Sequence, residues 1–142
     1  MTRAWHQNVK RSPTVERTVD GIVFDSKSEA KRWAELSSLE RAGEIRSLKR
    51  QVKYPLRIRG TPVLIRSAGY PNGRVCVYTA DFTYTDNKSG HLFVEEHKGH
   101  DTPESRLRRA VVEAIYGIEI IVTGPAARNT PRVPMRIAEA VG

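Results

Sequence analysis

The chain has one cysteine, Cys76, so an intramolecular disulfide is excluded, and a single thiol cannot build a structural zinc site. Its four histidines, His6, His91, His97 and His100, do not supply zinc-ligand spacing either, and no H-x-E or C-x-x-C element supports them. No apolar run approaches the length of a membrane span, and the segment Met1-Thr2-Arg3-Ala4-Trp5-His6 lacks a signal-peptide core. A cytoplasmic location without membrane contact is the resulting expectation. Internal repeats, low-complexity tracts and a helix-turn-helix pattern are absent as well, which removes the common route to sequence-specific major-groove reading.

What is present is one domain's worth of chain, 142 residues with 39% hydrophobic and 28% charged side chains. The net charge of +8 points to a polyanionic partner. Its distribution is more telling than its size. Residues 27–59 hold ten Lys or Arg against four Glu, whereas residues 60–116 hold seven basic and seven acidic residues. The excess is thus concentrated in one stretch, as expected for a nucleic-acid-facing surface beside a neutral core.

Along the chain, residues 1–17 read as a basic flexible arm, 18–124 as the folded domain and 125–142 as a tail with a short helix from Met135. Asp20-Gly21 is a favoured hairpin turn within Thr18 to Phe24. A helix is expected from Ser26 or Ser28 to Gly43, with Trp33 and Leu36 facing inward. Val52, Tyr54, Leu56 and Ile58 then alternate with polar residues in the period of a half-buried strand, and Pro55 marks an edge or a bulge. Residues 60–73, ending in Pro71-Asn72-Gly73, read as a loop or loosely paired hairpin. Strands follow at 74–86 and 91–98, joined by Asn87-Lys88-Ser89-Gly90. A second helix starts with Thr102 as cap and Pro103 at its first position, shows an apolar face of Leu107, Ala110, Val111, Ala114 and Ile115, and ends at Gly117. The run Ile118 to Val122 is a short strand.

With a four-residue turn at 87–90, Asp86 falls opposite His91, and Asp81 falls opposite Glu96. Directly opposed residues share a sheet face, with Cβ atoms about 4.5–5.5 Å apart. Two carboxylates side by side among Val75, Val77, Leu92 and Val94 repel each other unless something cationic lies between them. Magnesium, which takes carboxylate oxygens, would convert that repulsion into a site. Lys98, two residues beyond Glu96, lies on the same face. A solvent-exposed face with scattered charges, or a shifted register, is the plainer alternative, and Lys98 also fits as a mere salt-bridge partner of Glu96. Glu29 fits two roles: the reciprocal partner of Ser26 in a capping box, or an inward carboxylate serving the same metal site.

These residues resemble the PD-(D/E)XK nuclease superfamily, in particular a small phage-encoded branch. The matching positions are Asp81 in Thr79-Ala80-Asp81-Phe82, the triplet Glu96-His97-Lys98, and Glu29 in Asp25-Ser26-Lys27-Ser28-Glu29-Ala30. The segments Ala42-Gly43-Glu44-Ile45, Arg50-Gln51-Val52 and Val94 to Gly99 extend the likeness over about residues 20–122. Alanine stands where the superfamily motif has proline, and Glu95 competes with Glu96 for the acidic role, although alternation favours Glu96. The resemblance implies an α/β, restriction-endonuclease-like core (α-β-β-β-α-β), a mixed sheet flanked by two helices. It implies a hydrolase cutting DNA phosphodiesters with metal-activated water. Asp81, Glu96, Glu29 and the His97 backbone carbonyl would hold Mg²⁺ or Mn²⁺, and Lys98 would orient the water and offset transition-state charge.

Nucleic-acid contact is expected from Lys27, Lys31 and Arg32 on the first helix and from Arg46, Lys49, Arg50 and Lys53 beyond it. Arg106 and Arg109, three apart on the second helix, would hold a phosphate. A solvated surface charge is the plain reading of each one singly. Three alternatives stand beside the endonuclease: a resolvase acting on branched DNA as a homodimer, a DNA-binding module that does not cut, and an RNA-cleaving enzyme.

Overall fold

The computed structural model describes residues 11–129. A 3-10 turn, Thr14–Arg17, comes first, where composition suggested only a loose arm. Arg17 secures it by donating to the carbonyls of Ser12 and Phe24 at 2.8 and 2.6 Å. Strands β1 (Thr18–Val19) and β2 (Ile22–Val23) form the expected hairpin around Asp20-Gly21. Helix α1, Lys27–Arg41, begins at Ser26, whose side chain accepts the Glu29 amide at 3.0 Å. This is the forward half of a capping box.

Strand β3 (Ile45–Pro55) starts earlier than alternation suggested. Two small antiparallel pairs follow: β4 (Arg57–Ile58) with β5 (Thr61–Pro62), and β6 (Leu64–Ser67) with β7 (Tyr70–Val75). Strand β8 (Val77–Asp86), strand β9 (Leu92–His97), helix α2 (Pro103–Tyr116) and strand β10 (Ile120–Thr123) complete the order, with a 3-10 turn at Pro125–Asn129. The short helix expected from Met135 lies outside the described residues. So the run read as one strand from 74 to 86 is two, divided at Cys76, and Pro71-Asn72-Gly73 is an irregularity within β7 rather than a loop end.

The central sheet has the order β10-β9-β8-β3, antiparallel except for β10 beside β9. The parallel pair is connected through α2, as a crossover requires. Pro55 ends an edge strand, where its missing N–H costs no ladder bond. The molecule is thus a mixed α/β fold with one mixed sheet and two helices. Among the described residues no helix is long and apolar enough to cross a membrane.

Two cores result. Phe24, Ala30, Leu36, Ile45, Phe82 and Tyr84 pack under α1, and Trp33 bridges Phe24 and Phe82 at ring separations of 6.0 and 5.9 Å. Leu56, Cys76, Tyr78, Ala80, Val94 and Val112 form the second, under α2. Tyr78 and Ala80 have the same parity as Phe82 and Tyr84 yet belong to the other core. The change falls at Asp81. The β3–β8 ladder pairs Arg50 with Phe82 and Val52 with Ala80 but omits Gln51 and Asp81, and Gln51 has a φ of 55°. A left-handed residue in the ladder turns the strand locally. Val77 lines the same cavity as Glu96, and Val75 falls in β7; both are exposed at 39%.

Of the apolar face read on α2, Val111 and Ile115 pack against the second core and the other three residues do not. Leu107 is 67% exposed and Ala110 and Ala114 face solvent, while Arg109 and Val112 point inward. Capping fixes where a helix starts; its rotation about its axis is set by what it packs against. Here an ion pair holds it.

Candidate active site

Glu95 and Glu96 are consecutive on β9 and so point to opposite faces of the sheet. Each meets an arginine. On the α1 side, Glu95 is 1% exposed and takes both Arg32 Nε (2.8 Å) and Arg32 Nη2 (2.7 Å), with the Tyr84 hydroxyl donating to the same carboxylate. On the α2 side, Arg109 Nη1 donates to Glu96 Oε2 at 2.7 Å and its Nη2 to Asp101 Oδ2 at 2.5 Å. Glu95 is sealed in a satisfied pair. Glu96 lines a cavity of about 210 Å³ with Val77, Tyr78, Thr79, Lys98, Ser105 and Arg108.

Lys98 Nζ stands 3.5 Å from Glu96 Oε1 and 3.4 Å from the Ser105 hydroxyl. Asp81 falls opposite Glu96 in the count that continues the ladder from Phe82 and Glu95, as the turn length predicted. The ladder itself stops one pair short. Instead the His97 amide donates to Asp81 Oδ2 at 2.7 Å, and Gln51 reaches Asp81 Oδ1 at 3.4 Å. The strands thus part at the site, leaving the Asp81 carboxylate between them. Burial raises the Asp81 pKa, opposed by the His97 amide and reinforced by the Glu96 charge.

Glu29 approaches from α1. It is 7% exposed, and burial, with the charges of Asp81 and Asp25, pushes its carboxyl up to about 7. Arg50 opposes this from one side. An acid whose folded pKa is raised contributes stability below its unfolded value, near 4.5, and loses it as the pH climbs through about 7. A shift of this size corresponds to about 3 kcal/mol, trimmed by solvent screening to about 2 kcal/mol. Accordingly, in EDTA at pH 8 Glu29→Gln should be the more stable protein by about that amount. Urea denaturation at pH 8 and pH 4 checks this: the advantage should vanish at the lower pH, and an equal advantage at both would show that charge is not its origin.

Asp81, Glu96 and Glu29 offer only oxygen donors, the set that magnesium and manganese select. Burial is the main cause of the raised pKa values of Asp81 and Glu29, and neighbouring carboxylates add to it: Glu96 for Asp81, Asp81 and Asp25 for Glu29. Among the described residues, however, no three His, Cys, Asp or Glu side chains are gathered closely enough to enclose an ion. Glu96 is turned toward Arg109 and Lys98 instead. The donor chemistry fits a divalent cation, and closing around one requires side-chain rotation.

The other expected residues divide clearly. Lys27, Lys31, Lys49 and Lys53 are exposed, and Lys53 pairs on β3 with Thr79 of the cavity wall. Arg106 is exposed beside Asp101, at 4.0 Å. Arg50 lies over the Phe24 ring at 4.9 Å. Arg46 binds Asn87 at 2.7 Å and pairs with Thr85, about 13 Å along β8 from Asp81 at the usual rise per residue. Arg32 and Arg109 are not free for a phosphate: one is committed to Glu95, the other is 5% exposed and held by Glu96 and Asp101.

In their place the cavity presents Ser105 and Arg108, whose bridge to Glu104 at 3.1 Å is a solvent-exposed i,i+4 pair rather than a buried one; helix spacing alone did not select them because the rotation of α2 was misread. Gln51, the left-handed partner of Asp81, carried no signal in the sequence beyond its place in the strand.

His97 points away from this site. Its Nε2 lies 2.7 Å from Ser28 Oγ and its Nδ1 3.1 Å from Thr123 Oγ1, inside a separate cavity of about 510 Å³ shared with Lys31, Arg32, Glu95 and Tyr84. Gly124 is required beside it, since a Cβ there would stand 2.8 Å from the imidazole.

No curated protein and no solved structure matches the chain. One family does, over residues 13–122, the greater part of the sequence, and the chain belongs to it: the DUF1064 family, described as a protein of unknown function.

Proposed function

We propose that this protein is a divalent-metal-dependent endonuclease that hydrolyses DNA phosphodiester bonds, with a restriction-endonuclease-like core of the PD-(D/E)XK type. One observation carries the reading. Glu96 and Lys98 line a cavity with Tyr78, Thr79, Ser105 and Arg108, and the Asp81 carboxylate, near enough to feel the charges of both, is held by the His97 amide where the two strands part. Acidic oxygens, an ammonium and an arginine around a space of about 210 Å³ match what a phosphodiester and its counter-ion need. The element order, one helix, three sheet strands and a crossover helix leading to a parallel strand, supports the same reading.

Asp81 and Glu96 are the residues that would hold Mg²⁺ or Mn²⁺, with the His97 carbonyl and Glu29 completing an oxygen set. A divalent ion held there would supply an acidified water and charge neutralisation at the phosphate. Lys98, within reach of Glu96 and Ser105, orients that water and stabilises the charge that develops on the phosphoryl oxygens. Arg108 holds the phosphate that enters the cavity. Arg109 fixes the Glu96 carboxylate through Oε2, leaving Oε1 directed to Lys98.

A second reading, a DNA-binding module that does not cut, draws on that same Arg109–Glu96 pair, because an arginine already neutralises one candidate ligand. Incubation of supercoiled plasmid, linear duplex, single strand and a four-way junction with Mg²⁺, Mn²⁺ or EDTA separates the two. Cutting with either metal and none in EDTA, abolished by Asp81→Asn, is the expected result. Binding without cutting under both metals would leave the module. Preference for the junction, together with a dimer by light scattering, would identify a resolvase.

A further inference from the structure

Between Glu44 and Asp81 there is no acidic residue, while eight Lys or Arg occur: Arg46, Lys49, Arg50, Lys53, Arg57, Arg59, Arg66 and Arg74. The last four belong to the two small hairpins inserted between β3 and β8. These hairpins are joined to the core through main-chain bonds at their roots. Leu56 donates to the Cys76 carbonyl at 2.8 Å, Cys76 to Val63 at 2.8 Å and Val63 to Leu56 at 2.9 Å. Leu56 and Cys76 are both buried in the α2-side core. The insertion is therefore anchored at its base, although its outer surface is largely exposed.

That outer surface is unusual in kind. Tyr70, beginning β7, is 51% exposed, and Ile58, Leu64 and Ile65 are also open to solvent. The Arg74 guanidinium lies 5.2 Å from the centre of the Tyr70 ring, covering one side of it. Between Ile65↔Arg74 and Ser67↔Tyr70 the register slips, with the extra residues on β7. Gly73, with a φ of 85°, makes this possible, as a Cβ would stand 2.8 Å from Leu64 Cβ. The slip brings Tyr70 and Arg74, four apart, into contact.

The insertion also leads into the proposed site. A cavity of about 260 Å³ lined by Ile65, Arg74, Val75, Cys76, Val77 and Arg108 shares Val77 and Arg108 with the Glu96–Lys98 cavity. Arg74, Arg108 and Lys98 thus mark one path from the hairpin to the carboxylates.

We propose that the β6–β7 hairpin is a strand-binding arm that takes an unpaired stretch of DNA, with a base stacked on Tyr70 and phosphates held by Arg74 and Arg108 on the way to Glu96 and Lys98. This rests on the nuclease reading and adds to it the class of substrate: a strand with at least one base free to stack. Cations alone would serve duplex and single strand alike. The exposed ring distinguishes them, since only an unpaired base presents its face to an aromatic side chain. Acid-free basic sequence interleaved with such a ring is the composition that binds single strands.

The test is fluorescence anisotropy in EDTA, so that nothing is cut, with a labelled 20-nucleotide single strand and the matching duplex. Wild type, Tyr70→Ala, Tyr70→Trp and Arg74→Ala are compared across salt concentrations. Tyr70→Ala should weaken single-strand binding about tenfold and leave duplex binding nearly unchanged, and Tyr70→Trp should restore it. Arg74→Ala should weaken the single strand and make the slope of log affinity against log salt shallower by about 0.7. Tyr70→Ala and Arg74→Ala proteins that bind both DNAs like wild type would overturn the arm, as would equal loss for strand and duplex that Tyr70→Trp does not repair. Wild type that cuts plasmid yet shows no preference for the strand would overturn the arm and spare the nuclease. Wild type that binds neither DNA and cuts nothing would overturn both.

Discussion

Lys98→Ala is expected to lower metal-dependent cutting about a thousandfold while leaving the fold and DNA binding in EDTA nearly intact. The lysine sits at the end of β9 with its ammonium near two acceptors, Glu96 Oε1 at 3.5 Å and Ser105 Oγ at 3.4 Å. Neither contact is a short ion pair. Its side chain is about a quarter exposed, at 28%, so its removal strands no buried charge: Glu96 keeps Arg109. Stability should therefore move by less than about 1 kcal/mol. In the proposed reaction the ammonium acts only when charge develops on a phosphoryl oxygen, so the loss is expected in turnover and not in binding. Glu96→Gln should lose as much activity, with weaker Mg²⁺ dependence. Single-turnover cutting at saturating protein, beside thermal melts of each variant, measures both quantities. If Lys98→Ala cuts within a factor of a few of wild type, the lysine is only the partner of Glu96.

The largest loss of stability should come from a residue that the charge pattern assigns to DNA. Arg32→Ala is expected to cost about 3–5 kcal/mol, because it leaves Glu95 charged, buried and without its partner. Glu95 is 1% exposed, and two of its contacts are the Arg32 bonds at 2.8 and 2.7 Å. Tyr84 alone remains as a donor to it. Lys31→Ala, at the preceding and solvent-exposed position of α1, should change stability by less than about 0.5 kcal/mol. Chemical denaturation of the two variants at pH 7 gives the comparison directly. The double variant Arg32→Met with Glu95→Leu should recover most of the loss, since removing both charges also removes the cost of burying one of them. Equal stability of Arg32→Ala and wild type would mean that the Arg32–Glu95 pair does not hold the fold, and that Arg32 is available to a phosphate after all.

Much of the architecture was readable because it depends on local rules. Ser26, Thr102 and Gly117 delimit helices by capping, and Asp20-Gly21 and the four residues at 87–90 close hairpins. The 87–90 turn length determined the register from Thr85↔Leu92 to Phe82↔Glu95, one pair short of Asp81 and Glu96, since pairing by twos leaves no freedom once the turn is set. The separation of Glu95 from Glu96 followed from the same alternation. The inward position of Glu29 on the Trp33–Leu36 stripe followed from helical period.

Other features depend on residues distant in sequence. Gln51 takes a left-handed backbone across from Asp81, at the point where β8 passes from one core to the other. Nothing in the local pattern of either strand specifies this. The rotation of α2 is decided by Arg109 reaching Glu96 and Asp101, an ion pair 13 and 8 residues apart that outweighs the apolar stripe of Leu107, Ala110 and Ala114. The assignment of each arginine to a carboxylate or to solvent has the same origin. The amino-acid sequence by itself determined where the two helices begin and end, the hairpin turns at Asp20-Gly21 and 87–90, and the β8–β9 register, because capping, turn length and alternation act within a few residues. Which charges are spent inside, which face of α2 turns inward and which cations line the cavity were decided by the tertiary structure, because a charge's cost depends on burial and on partners that only folding brings together.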